Sequence, residues 1–200
     1  MKSILTLLAL TAGISLAQAQ EKLSREDALY VAQAVSADAK ILKATPIATD
    51  VDLEQPVVVR DGDYGGMVLP QKGLRIETLV ETGKTSVPIG QLWLRGLTPV
   101  DSGAVAPAEK LRILNVKLDG EEMKAAQCTL ALRRNNDSKL ELVVLGKNAE
   151  PLATSALRRF EHAQSEPLDL DGERNEENGK VKIRILGKYE ASITVTELQP

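Results

Sequence analysis

The chain contains one cysteine and one histidine among its 200 residues, Cys128 and His162. A single cysteine cannot form an internal disulfide, so the fold must rest on its own apolar core. A single histidine excludes zinc sites that need two or more histidines. Cys128 alternates with Leu130 and Leu132, which predicts a buried, structural thiol. His162 is predicted to be a solvated residue at the end of an element. The sequence therefore identifies no catalytic residue.

Aromatic and basic residues are also in short supply. Aromatic side chains make up 2% of the chain, too few for the stacking platforms on which sugars and single-stranded nucleic acids bind. The net charge is -3 and the isoelectric point about 5.4, with basic residues dispersed along the sequence. Nucleic-acid-binding domains are typically basic and carry clustered lysine and arginine. We therefore predict no nucleic-acid partner.

Long apolar runs are absent except at the amino terminus. Lys2 precedes the apolar run 4–10, and Ala17-Gln18-Ala19 supplies the small-x-small pattern that signal peptidase cleaves. No later run approaches the roughly 20 apolar residues of a membrane-spanning helix, so we predict no transmembrane segment. Residues 1–19 are predicted to be a signal peptide, and the mature chain to be periplasmic or secreted. Export with a single cysteine is typical of a bacterial rather than a eukaryotic protein.

After the signal peptide, the sequence predicts one helix within an N-terminal segment, residues 20–45. Ser24 is a helix N-cap residue, and Glu26 and Asp27 place acidic charge in the first turn. Apolar residues then recur at spacings of three and four, which predicts a helix over 25–42. Thr45-Pro46 ends it. The apolar face is mostly alanine, so the helix is predicted to pack closely on the rest of the protein, with a loosely attached N-terminal arm as the alternative.

From residue 55 onward the apolar period changes from 3.6 to 2, which indicates strands. Residues 128–133 and 140–144 alternate on either side of an Asn-Asn-Asp-Ser turn and predict a hairpin. Residues 181–185 and 191–195 predict a second hairpin, with one apolar and one polar face. We therefore predict a mainly β fold, an antiparallel β-sandwich over 46–200 preceded by one N-terminal α-helix.

Six further segments are candidate strands, separated by glycine-containing turns. They are 56–60, 74–80, 87–95, 110–118, 151–159 and 166–171. Residues 152–163 also fit one face of a helix, so that segment is left open between strand and helix. Thr98–Glu109, with two prolines and many small residues, is predicted to be a long loop or an internal boundary near 98–109.

The segment Gly83-Lys84-Thr85 matches the end of a phosphate-binding loop. Thr78 stands where that motif has its first glycine, and the segment lies between two candidate strands rather than before a helix. We therefore predict a hairpin turn here.

Two acidic, glycine-containing segments are candidates for a metal site. One carries Asp61 and Asp63, and the other carries Asp169, Asp171 and Glu173. Several carboxylates on a bendable loop are the ligands that calcium prefers, although neither segment completes an EF-hand loop. We therefore predict solvated turns and no cofactor, with calcium as the alternative.

Trp93 is flanked by Leu92 and Leu94 in a candidate strand, so both faces of that strand carry apolar groups. A central strand packed on both sides explains this pattern. An exposed patch where another protein docks is the alternative.

Mild charge, a sheet-rich body and the absence of a catalytic signature favour one function class. We predict an exported, non-catalytic binding or assembly module of the bacterial cell envelope, with another envelope protein as its partner. One alternative is a small exported hydrolase that uses Asp and Glu carboxylates. A calcium-binding or small-ligand-binding protein is the other, and a concave pocket would distinguish it.

Overall fold

The structure is a computed structural model that describes residues 20–36, 45–174 and 178–198. Two antiparallel sheets pack face to face, and one helix covers the outer face of the first sheet. The prediction of a mainly β sandwich preceded by one helix is confirmed. Residues 1–19, the predicted signal peptide, lie outside the described residues.

The helices are α1 (Arg25–Ser36) and α2 (Ile76–Glu81), with a 3-10 turn at Ala108–Lys110. The strands are β1 (Glu21–Lys22), β2 (Val57–Asp61), β3 (Tyr64–Pro70), β4 (Val87–Arg95), β5 (Leu97–Asp101), β6 (Ala104–Val105), β7 (Arg112–Leu118), β8 (Glu121–Arg134), β9 (Leu140–Leu145), β10 (Pro151–Ala156), β11 (Arg158–Arg159), β12 (Leu168–Arg174), β13 (Gly179–Ile185) and β14 (Tyr189–Glu197).

The first sheet has the order β1-β2-β3-β4-β8-β9-β10, and the second has the order β12-β13-β14-β5-β6. Strand β11 pairs with β14 at the side of the second sheet. Strand β8 is 14 residues long and joins three neighbours. It pairs with β4 along one edge, and with β7 and then β9 along the other.

The main core lies between the two sheets and follows from the alternation of the strands. Leu92 and Leu94 of β4 point inward, as do Ile183 and Ile185 of β13, and all four are fully buried. Cys128 of β8 joins them at 1% exposure. Burial of each large aliphatic side chain contributes about 1.5–3 kcal/mol, so this core is the main source of stability.

A second apolar cluster lies between α1 and the outer face of the first sheet. Ala28, Ala32 and Val35 form the buried face of α1, and Met67 and Trp93 lie beneath them. Small side chains let the helix approach the sheet closely, as predicted from its alanine-rich face. Residues 37–44 are outside the described residues, so the predicted continuation of the helix to residue 42 lies there as well.

Two hairpins show why glycine is required at particular turns. Asp119 and Gly120 have φ values of 55° and 83° between β7 and β8, the positive φ pair of a two-residue type I′ turn. Leu186 and Gly187 have φ values of 53° and 63° between β13 and β14. A Cβ atom on Gly187 would lie 2.4 Å from the carbonyl oxygen of His162, so a larger residue cannot fit.

The prediction of a strand over 74–80 is wrong, because residues 76–81 form α2. Leu74 and Leu79 are buried, whereas Val80 is 73% exposed, so the burial pattern does not follow the alternation. A local bond from Thr82 Oγ1 to the carbonyl oxygen of Thr78, 2.6 Å long, closes the last turn. The segment 83–85 consequently joins a helix to β4, and the hairpin turn predicted there is wrong as well.

The prediction of a loop over 98–109 is wrong in its first part, because β5 and β6 lie there. Pro99 pairs opposite Val195 of β14, a position at which its missing N–H does not interrupt the sheet. The open choice over 152–163 is decided in favour of strands, since β10 and β11 occupy it up to Arg159.

Candidate functional site

A groove with a volume of about 140 Å³ lies beside α1 on the outer face of the first sheet. Its walls and floor are mainly apolar. The helix contributes Val31, Ala34 and Val35, the floor consists of Val58, Gly65, Met67 and Trp93, and the far wall consists of Val116, Leu118, Met123 and Ala125. The side chains that α1 contributes to the lining are short, and the floor includes a glycine.

Trp93 is the central side chain of the floor, with 3% of its surface exposed. Its indole Nε1 donates a hydrogen bond to Oε1 of Gln91 at 3.2 Å, and Nε2 of Gln127 donates to the same oxygen at 2.9 Å. Nε2 of Gln91 in turn donates to Oγ1 of Thr49 at 2.7 Å. This buried network fixes the orientation of the indole, so the groove floor is preorganised.

The structure distinguishes between the two explanations offered for Trp93, a strand packed on both faces and an exposed docking patch. Trp93 packs under α1 while Leu92 and Leu94 enter the sandwich core, so β4 is a strand packed on both faces. The alternative of an exposed tryptophan patch is wrong.

Two arginines stand at the mouth of the groove, on either side of a glycine. Arg60 pairs with Gly65 across β2 and β3, and Gly65 pairs with Arg95 across β3 and β4. Arg60 Nη2 lies 2.8 Å from Oε2 of Glu21, and Arg95 Nη2 lies 3.9 Å from Oδ1 of Asp63. Because residues paired across a sheet point to the same face, both guanidinium groups border the groove.

The lining of the groove is mainly apolar, with Tyr64, Arg60 and Arg95 as its polar side chains. Among the described residues that line it there is no carboxylate, serine, cysteine or histidine. Apolar walls with a few polar groups at one end are typical of small-molecule sites.

The acidic residues predicted as metal candidates lie elsewhere, in two places. Asp61 and Asp63 flank the turn between β2 and β3, where the side chain of Asp63 is 99% exposed and Oδ2 of Asp61 lies 3.9 Å from Nη1 of Arg174. The segment 169–173 is not a loop, because it forms most of β12. That part of the prediction is wrong.

The acids of β12 point away from the core and lie beside cations. Asp169 forms an ion pair with Lys22, and Glu173 forms one with Lys182. Arg184 Nη2 lies 3.0 Å from Asp171, and Arg184 Nη1 lies 3.5 Å from Asp169. Within the described residues, no three histidine, cysteine, aspartate or glutamate side chains group as a metal site would require. Calcium binding stays the alternative prediction.

Arg184 is the centre of this charged surface, since its Nε also lies 3.3 Å from Glu190. Burial lowers the pKa of Arg184, but the hydrogen bond to Glu190 and the charges of Asp171 and Asp169 outweigh it, so the pKa is raised overall. The arginine is therefore always charged and acts as a structural cation.

The cysteine and the histidine have the surroundings that the sequence predicts. Cys128 is buried in the sandwich core, where burial raises the pKa of its thiol to about 12. A thiol with that pKa is almost fully protonated at neutral pH, which makes it a poor nucleophile. His162 is exposed beside Phe160, with 5.8 Å between ring centroids.

Sequence reasoning identified Trp93 but not the groove to which it belongs. Two signals for the groove were present, the glycine pair Gly65-Gly66 inside a strand and the short side chains of α1. A glycine within a strand marks a place where another group approaches closely. Where the helix docks on the sheet depends on the fold, however, and no local pattern predicts it.

No family model, curated protein or solved structure matches the chain. In the described part of the chain, no helix has the length and apolar character needed to cross a membrane. The fold and the site define a helix-covered β-sandwich with an apolar, arginine-bordered groove.

Proposed function

We propose that this chain is an exported, non-catalytic binding module of the bacterial envelope whose ligand site is the groove under α1. The observation that carries the proposal is the groove itself, an apolar concavity with a fixed tryptophan in its floor. Export and envelope location rest on the signal-peptide pattern of residues 1–19.

The size of the groove limits what it can hold. A volume of about 140 Å³ is close to that of an engineered apolar cavity of roughly 150 Å³ that binds benzene in another protein. It is smaller than the roughly 300–1,000 Å³ of sites for drug-sized ligands. The groove therefore takes about six carbons, either a short chain or one end of a longer molecule.

Affinity follows from the apolar surface that is buried. At about 0.8 kcal/mol for each methylene group, six carbons contribute roughly 5 kcal/mol before the cost of immobilising the ligand. Because that cost is subtracted, a simple aliphatic probe is expected to bind weakly, with a dissociation constant on the order of a millimolar or higher.

Ligand binding can be followed by tryptophan fluorescence, because Trp93 is the only tryptophan in the chain and lies in the groove floor. We expect 1-hexanol to change its fluorescence saturably. Ala34→Phe places a large side chain in the groove and is expected to abolish the change. Gln33→Phe, on the exposed side of the same helix, is the matched control and is expected to bind like the parent protein.

Two results would overturn the proposal. One is a fluorescence change that rises linearly with hexanol without saturation, and the other is an equal saturable response in the Ala34→Phe and Gln33→Phe variants.

A protein partner in the envelope remains a second, sequence-based proposal. A pull-down from the envelope fraction, performed with calcium and with chelator, tests it. A partner that is lost in chelator would support a calcium site at the acidic residues. Retention of the partner in chelator would oppose such a role for calcium.

A further inference from the structure

We propose that the groove selects an anionic amphiphile, a free aliphatic carboxylate of about six carbons whose head group lies between Arg60 and Arg95. This inference rests on the proposed function and specifies its ligand. The inference is based on the arrangement of charged residues around the groove.

The two arginines form a cradle. Arg60, Gly65 and Arg95 occupy one row across three adjacent strands, with the glycine in the middle. Strands lie about 4.8 Å apart, so the two arginine Cα atoms are separated by about 10 Å. Gly65 places no side chain in this gap, which leaves room for a carboxylate between the two guanidinium groups.

The charge that lines the groove has one sign. Arg60 and Arg95 line it, and none of its other described lining residues carries a charge. Their acidic neighbours, Glu21 and Asp63, are outside the lining, and both have largely exposed side chains. A ligand in the groove therefore meets positive charge at the mouth and apolar surface inside.

Arg95 in particular is available to a ligand. Its distance of 3.9 Å to Asp63 is too long for a hydrogen bond. A planar guanidinium can bind a carboxylate through two parallel hydrogen bonds, a geometry that neither an alcohol nor an amine provides. The carboxylate of a bound chain would take these donors while its alkyl chain packs against Trp93 and Met67.

The test compares three probes of equal chain length and different charge: hexanoate, 1-hexanol and hexylammonium. They are titrated into the protein purified after expression of the full chain, with Trp93 fluorescence as the readout. We expect hexanoate to bind about tenfold more tightly than hexanol, the effect of one or two charge-assisted hydrogen bonds at a partly exposed site. Hexylammonium is expected to bind at least tenfold more weakly than hexanoate.

Variants of the two arginines test whether the cradle causes the preference for hexanoate over hexanol. In Arg60→Gln and Arg95→Gln, the ratio of the hexanol to the hexanoate dissociation constant is expected to fall from about ten toward one. Arg75→Gln, which removes an exposed arginine outside the groove, is the matched control and is expected to keep the ratio of the parent protein.

The outcomes separate this inference from the proposed function. Saturable binding of hexanoate and hexanol with equal affinity would overturn the anionic ligand and leave the groove as a binding site. An unchanged ratio in both cradle variants would also overturn it. Failure of all three probes to produce a saturable response would overturn the proposed function together with this inference.

Discussion

Arg184 holds three acidic side chains on the outer face of the second sheet. Asp169 and Glu190 are only 8% and 6% exposed, so their charges depend on a nearby cation. These two acids also have a second partner each, Lys22 for Asp169 and Arg158 for Glu190. Loss of Arg184 is therefore expected to lower the stability of the fold, while the second partners still compensate part of the buried charge.

We expect Arg184→Gln to lower the free energy of unfolding by about 2 kcal/mol, because two nearly buried carboxylates lose a charged hydrogen-bond partner. Arg159→Gln, at an exposed position of β11, is expected to change it by less than about 0.5 kcal/mol. Urea unfolding of the two variants and the parent protein measures both values. Equal midpoints for all three would show that the charged surface contributes nothing to stability.

At the scale of residues, the sequence predicts a side chain well when its role depends on its own strand. The burial of Cys128 and the position of Trp93 both follow from alternation along one segment. The acids of β12 were misjudged because their partners are set by pairing across strands. Asp169 stands opposite Arg184 only because β12 and β13 pair in one register, 15 positions apart in sequence. Composition and local pattern contain no such information.

At the scale of elements, α1 is the part on which the groove depends. Ser24 Oγ accepts a hydrogen bond from the backbone N–H of Asp27 at 3.2 Å, and the Ser24 hydroxyl donates to Oδ2 of the same residue at 2.7 Å. The N-cap predicted from the sequence is therefore present. It secures the end of the helix that follows β1.

We expect Ser24→Ala to destabilise α1 by about 1 kcal/mol, the usual contribution of a serine N-cap. Amide hydrogen exchange in residues 28–36 is then expected to accelerate about fivefold, because the free energy of local helix opening falls by about 1 kcal/mol. Ser36→Ala, which removes a bond to the carbonyl oxygen of Gln33 at the other end of the described helix, is the control. Unaltered exchange in Ser24→Ala would contradict a role for the cap.

Elements with regular alternation were predicted closely, and short ones were not. The predicted strand at 87–95 matches β4, because nine residues sample the period four times. Six residues of α2 do not cover two helical turns, so the apolar residues at 74, 76 and 80 imitate a strand. The groove was not predictable from the sequence, because it is formed by a helix and a sheet that come into contact only in the folded protein.

At the scale of the whole molecule, export is the prediction that the sequence makes most directly. Deletion of Met1–Ala19 is expected to leave the protein in the cytoplasm, since the apolar run and the cleavage pattern are removed together. Cell fractionation of the full chain and the truncated chain measures this, with a cytoplasmic enzyme as the marker for leakage. Recovery of the truncated chain from the periplasm would contradict the signal-peptide prediction.

The order of strands in the second sheet also determines when folding can finish. Strand β14, the last in the sequence, lies between β13 and β5, so Thr194 pairs with Lys180 on one side and with Val100 on the other. The pairing of Thr194 with Val100, 94 positions away, is slow to form, since a long loop must close first. A chain emerging amino terminus first cannot complete its second sheet until its final strand is present. The second sheet is therefore complete only when β14 has joined both β13 and β5.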